Sequence, residues 1–318
     1  MKRFLVLAVM ALFVNACDDG DVSTQNINFD DATVAVCGEF IYKLNTNEAL
    51  VLRIPTIDVG AFLNDETPVN VPRIRQIGGP IKVYYRSYNG NVSSDNICTL
   101  PTPINPTVTE EWNAISGTIE ITTTSIKSTD ATTLATKITG YNHKIVFRDI
   151  TYQKPDGILV IGDPKTFGNK TTIATVLPFA FTSDLNKCTS GLVNKQTGSE
   201  GITLNIDPLL INNTLTTPTS PKTGLITATT NKLTYKLFNG LLPNNYYCLS
   251  PIPTTPQVVQ EWVGNDGISG TSGIIDVYTT TNGTGFKHTI HLRNAILKNG
   301  NSNFTLGTDY ILGELLTN

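Results

Sequence analysis

Two glutamates, each followed directly by a tryptophan, are the residues whose types and spacing could do chemistry: Glu111 before Trp112 and Glu261 before Trp262. A carboxylate beside an indole suits a glycoside, with the indole stacking on the sugar ring and the carboxylate moving a proton. Hydrolysis generally needs a second carboxylate across the bond. Glu110 precedes Glu111, but adjacent strand residues face opposite ways, and the matching position beside Glu261 is Gln260. The expectation is therefore structural. Glu111 and Glu261 serve as caps or cross-strand partners for Arg148 and Arg293, and Trp112 and Trp262 plug a core.

Only three histidines are present. His143 and His288 occupy equivalent strands and share a face with Ile145 and Phe147 or with Ile290 and Leu292, so both are expected as hydrogen-bonded core or rim residues. His291 has Val146 as its counterpart, which excludes a role common to both places. No HExxH, close cysteine pair, GxSxG elbow or phosphate-binding glycine loop occurs, and the loops around Asp65 and Asp266 are too sparse in acid for calcium. No catalytic residue, metal ligand or cofactor is expected. The ligand-binding candidates are Tyr84, Arg86 and Tyr88, which alternate onto one strand face and are answered by Thr234, Lys236 and Phe238. Facing outward, that strip could hold a sugar or peptide; facing inward, it would leave Tyr85 and Tyr235 exposed instead. The plainer reading is that tyrosine is simply common in strands.

These residues sit in a chain that states itself twice. CTLPTPINPTVTEEW runs from Cys98 to Trp112 and CLSPIPTTPQVVQEW from Cys248 to Trp262, an offset of 150. KVYYRSYNG from Lys82 matches KLTYKLFNG from Lys232 at the same offset, and HKIVFR from His143 matches HTIHLR from His288 at 145. The drifting offset means that loops changed length while strands held position. Prolines 101, 103 and 106 lack an amide donor and fix φ, so their segment runs extended along an edge into the following strand. Beyond the first residues no helical periodicity appears; runs rich in Ile, Val, Thr and Tyr are broken by NG, GG and Pro. The pattern predicts an all-β chain of two tandem antiparallel β-sandwiches, immunoglobulin-like in architecture, at 27–168 and 173–315 with six to eight strands each. The alternative is one long β structure made by both copies together.

Five cysteines leave one odd. Cys37 with Cys98 and Cys188 with Cys248 lie 61 and 60 residues apart, and only this pairing is the same in both copies. The odd one, Cys17, follows Lys2, Arg3 and an apolar run from Phe4 to Val14, too short to span a bilayer but suited to a secretory signal. Val14, Asn15, Ala16 and Cys17 resemble the lipobox of bacterial lipoproteins. That resemblance implies a signal peptide over 1–16, acylation of Cys17, and a tether over 17–26. Asp18, Asp19 and Asp21 after the cysteine resemble the export signal of Bacteroidota-type surface lipoproteins, which implies a body facing out from the outer membrane; a periplasm-facing anchor is the alternative.

Loss of Lys2 and Arg3 with the leader takes the net charge from −3 to −5, and charged residues make up only 15% of the chain. No basic stripe exists to neutralise phosphates, which disfavours nucleic acid. The expected partners are the membrane, through the lipid on Cys17, and an envelope protein or glycan. The sequence thus points to a non-enzymatic, lipid-anchored binding or adhesion protein, with a structural or assembly subunit as the rival and a carbohydrate-active enzyme third.

Overall fold

The computed structural model describes residues 27–162 and 164–318; the leader, Cys17 and the tether lie outside the described residues. The chain is an all-β protein of the sandwich type. Its first half holds β1 (Ala35–Cys37), β2 (Phe40–Leu44), β3 (Glu48–Arg53), β4 (Arg73–Gln76), β5 (Lys82–Tyr88), β6 (Val108–Thr129), β7 (Thr136–Lys154), β8 (Gly157–Ile161) and β9 (Lys165–Ile173). The second half holds β10 (Asn186–Lys187), β11 (Val193–Thr197), β12 (Glu200–Asn205), β13 (Lys222–Leu225), β14 (Lys232–Phe238), β15 (Val258–Gly264), β16 (Ile274–Asn282), β17 (Gly285–Arg293), β18 (Ile296–Asn299), β19 (Ser302–Thr305) and β20 (Asp309–Thr317). Among the described residues no helix is long and apolar enough to cross a membrane.

The first half is one sheet folded into two layers. Its path runs β1-β2-β3-β5-β6-β7-β8, with β4 on β6 and β9 on β7. The two long strands make this possible: β6 pairs with β5 up to Asn113 and with β4 from Thr118, passing between layers at a register break. Gly117 sits at that bend with φ +135°, where an added Cβ would lie 2.9 Å from the Ile150 side chain. The second half separates the same order into a seven-stranded sheet, β10-β11-β12-β14-β15-β18-β19, and a four-stranded one, β13-β16-β17-β20. Here Gly267, Gly270 and Gly273 open a loop between β15 and β16, so the long-strand device is replaced by a break.

Alternation along β5 and β14 turns Tyr85 and Tyr235 inward, each directly opposite a tryptophan, Trp112 and Trp262. Around Tyr85 and Trp112 pack Ile119, Ile121, Ile145 and Phe147 from the other layer. Trp112 is fully buried, and truncating such a side chain costs about 3–5 kcal/mol. The sequence places Val108 on the side of Trp112; instead a bulge lets Tyr88 pair with Val108 while Ser87 pairs with Glu110, and Val108 is left exposed. Disulfides join Cys37 to Cys98 and Cys188 to Cys248, the pairing expected. Loops of that length stabilise by about 4 kcal/mol in the chain-entropy model, and such bridges mark the chain as extracytoplasmic.

The halves are fastened to one another by side chains. Asp65 accepts hydrogen bonds from the Asn301 and Ser302 amides (2.9 and 3.0 Å) and the Ser302 hydroxyl (3.0 Å), so one carboxylate holds the turn between β18 and β19. Tyr141 donates to the same Ser302 hydroxyl (3.3 Å), and the Thr308 amide reaches the Thr133 carbonyl at the tip of the β6–β7 hairpin (3.0 Å).

Candidate functional site

Tyr84, Arg86 and Tyr88 do share the face of β5 that turns away from Trp112, but much of it is covered. Tyr88 is buried in a small cluster with Tyr42, Ala49 and Val51, against which the disulfide cysteines pack. Arg86 lies over the Tyr84 ring at 4.6 Å and binds Glu111 at 2.6 Å. The Glu111 carboxyl is held below its usual range, because hydrogen bonds from Asn113 and Arg86 and the Arg86 charge outweigh its burial. The strip therefore mainly consumes its own polar groups. Its counterpart on β14 differs: Thr234, Lys236 and Phe238 line a pocket of about 280 Å³.

The expected partners of the two glutamates are corrected. Glu111 faces Arg86 and Glu261 faces Lys236, directly opposite in their ladders. Arg148 instead approaches Glu120 at 2.6 Å, an ion pair rather than an aligned hydrogen bond, and Arg293 pairs with Asp276. Register explains this: an arginine on β7 meets the part of β6 in the other layer, beyond the bend, whereas Glu111 precedes it.

Both buried histidines are fully hydrogen-bonded, and through matching chains. Arg73 donates to the Thr123 hydroxyl (2.6 Å), which donates to His143 Nδ1 (2.8 Å); His143 Nε2 donates to Thr172 (2.9 Å), which donates to the Asn64 carbonyl oxygen. Lys222, Thr279, His288, Thr317 and Asn213 repeat the series at 3.1, 2.9, 3.0 and 2.8 Å. Each threonine has one proton to give: Thr172 and Thr317 give theirs to an amide oxygen and so accept from Nε2, which makes the neutral ring the Nε2–H tautomer and leaves Nδ1 to accept from Thr123 or Thr279. Burial, with the Lys170 and Arg73 charges, pushes His143 down to about 4; burial, Lys222 and Lys187 push His288 down as well. A neutral ring locked between two hydroxyls is a fastening rather than a proton shuttle. Asn64 with Asn213 and Arg73 with Lys222 share an offset of 149, the signal that could have found the chain in the sequence. His291 sits apart, bound to Asp309 at 2.9 Å.

A second cavity, also about 280 Å³, opens where the halves meet. Tyr141, Ile138, Phe179, Trp262 and Phe304 supply its apolar walls, with Lys137 exposed at its edge. Trp262 and Phe304 meet edge to face at 4.9 Å, and Phe179 stacks on Tyr235 at 4.2 Å, which fixes the connecting segment as one wall. Asn64, Tyr141, Gln260 and Trp262 continue into an adjoining space of about 230 Å³ that ends on Asp65 and Asn299. Asn299 donates to the Gln260 carbonyl oxygen (3.1 Å). Asp65 is taken up by the turn it holds. Aromatic walls with amides at intervals suit an uncharged, partly apolar guest. Sequence reasoning missed this cleft because its walls come from separate segments spread along the chain from Asn64 to Phe304. Among the described residues no group of three or more His, Cys, Asp or Glu is placed to hold a metal ion. No family model, curated protein or solved structure matches the chain.

Proposed function

We propose that this protein is a non-enzymatic binding protein, exported and held at the outer membrane by a lipid on Cys17, that takes its ligand in the cleft between its halves. The cleft carries the reading: it is walled by aromatic and amide side chains of both halves, and Asp65 and Ser302 hold those halves in one arrangement. Preformed apolar concavities with a few convergent polar groups are where small ligands bind. The disulfides support the exported address, and the lipobox resemblance supports the anchor.

The chain has two tryptophans, so Trp112→Phe leaves Trp262 as a reporter in the cleft wall. Anilinonaphthalene sulfonate, aromatic with one anionic group to meet Lys137, is the probe. Saturable quenching of Trp262 emission, lost on Val176→Glu at the exposed mouth, is expected. Quenching that never saturates, or that survives Val176→Glu unchanged, refutes the cleft as a binding site.

A further inference from the structure

The pocket on β14 exists because two equivalent strand positions carry different residues. In the first half, Tyr84 faces Val51 across the ladder, with its ring packed beneath Arg86. In the second half the same ladder position pairs Thr234 with Thr203, so a phenol ring and an isopropyl group are replaced by two hydroxyl side chains. Both threonines line the space this leaves, with Phe238 and Tyr246 as apolar walls meeting edge to face at 5.2 Å. Among the described residues the Thr234 hydroxyl makes no hydrogen bond, although the residue is only 7% exposed.

The charged pair changes in the same sense. Glu111 is saturated by Arg86 at 2.6 Å and Asn113 at 2.9 Å. Among the described residues Glu261 has Lys236 alone, at 3.5 Å, and Val263 stands where Asn113 would be. The second carboxylate and its ammonium therefore keep hydrogen-bonding capacity that the first pair has spent. Glu261 opposes a phosphate or carboxylate guest at the clamp, while Lys236, with Lys232 also on the pocket wall, opposes a cation. A hydroxyl group suits both, accepting from Lys236 and donating to Glu261, and a second hydroxyl can reach the threonines. The C–H face of a pyranose packs on aromatic rings such as Tyr246. The volume equals about nine waters at about 30 Å³ each, room for a sugar residue whose remaining hydroxyls stay in solvent.

We propose that the outward face of β14 is a saccharide subsite, in which Lys236 and Glu261 hold a hydroxyl of a neutral sugar while Thr203 and Thr234 form the floor. It is separate from the cleft and does not rest on the cleft's being a binding site. The test uses the purified full chain on a printed array of neutral mono- to tetrasaccharides, followed by titration of whichever binds. Thr234→Tyr installs the residue the other half already accommodates, so the ladder tolerates it; Glu261→Ala removes the accepting arm of the hydroxyl clamp. The expected result is at least tenfold weaker binding in both variants at unchanged melting temperature, with Tyr84→Thr and Val176→Glu binding as the parent does. No neutral sugar bound, or binding within twofold of the parent in Thr234→Tyr, overturns the proposal.

Discussion

Acid should unfasten this protein through its histidines before it does so through most of its carboxylates. His143 ionises at about 4 in the folded chain and at about 6.5 when unfolded. Its folded value is the lower one, so between those limits the unfolded chain binds more protons, and stability falls as pH drops from the unfolded value toward the folded one. Linkage gives a loss of about 1.4 kcal/mol by about pH 5.5 and about 2.5 kcal/mol by about pH 4.5 from this residue alone. The physical cause is visible in the bonding. Protonating Nδ1 turns a donor toward the Thr123 hydroxyl, which loses the acceptor for its own proton, and places a buried positive charge near Arg73 and Lys170. His288 adds a loss of the same sign. Urea titrations at several pH values would measure it, with His143→Gln as the reference, because glutamine does not titrate while the carboxylates common to both chains cancel. The stability advantage of the parent over the variant should shrink steadily below about pH 6.5. An advantage that stays constant down to about pH 4.5 would refute the reasoning, since it would mean that the ring never carries the linkage.

Two further outcomes follow from other contacts. Asp65→Ala removes the acceptor for two amides and a hydroxyl in the β18–β19 turn, so hydrogen exchange at Asn301 and Ser302 should rise by one to two orders of magnitude, about 1.5–3 kcal/mol, while exchange at Trp112 stays protected; equal rises at both places would instead mean global destabilisation. Cys17→Ser should move the protein from the membrane fraction to the soluble fraction of the exported pool without altering its melting temperature, and retention in the membrane fraction would show that a lipid on Cys17 is not the anchor.

What could be read from the sequence was whatever is set by local pattern or by comparing its two copies. The pairing of Cys37 with Cys98 was legible because only one pairing repeats, and the sharing of one face by Tyr84, Arg86 and Tyr88 follows from alternation within a seven-residue strand, whereas which face turned inward did not. What was not legible depends on how far a strand bends before it meets its neighbour. Glu111 could not be matched to Arg86 without knowing that β5 pairs with β6 ahead of the bend at Gly117, nor could Val108 be turned outward without the bulge at Tyr88. The histidine chains draw Asn64, Arg73, Thr123 and Thr172 from four segments, so only the offset repeated by Asn64 and Arg73 pointed to them, and no spacing within one copy unites them.

Correspondence between the copies becomes most informative where it fails. Positions that hold the frame agree in type: His143 with His288, Trp112 with Trp262, Glu48 with Glu200, each glutamate receiving the hydroxyl of Tyr85 or Tyr235. Positions on the outward face of β5 and β14 differ in size and hydrogen-bonding capacity, Tyr84 against Thr234 and Arg86 against Lys236, although the ladders around them are superposable in register. A frame requirement would act on both copies alike, because both must pack the same core. Substitutions that close one face and open the other therefore mark positions released from the frame, and the polar groups left unspent at Thr234, Lys236 and Glu261 are the ones free to meet something outside the chain.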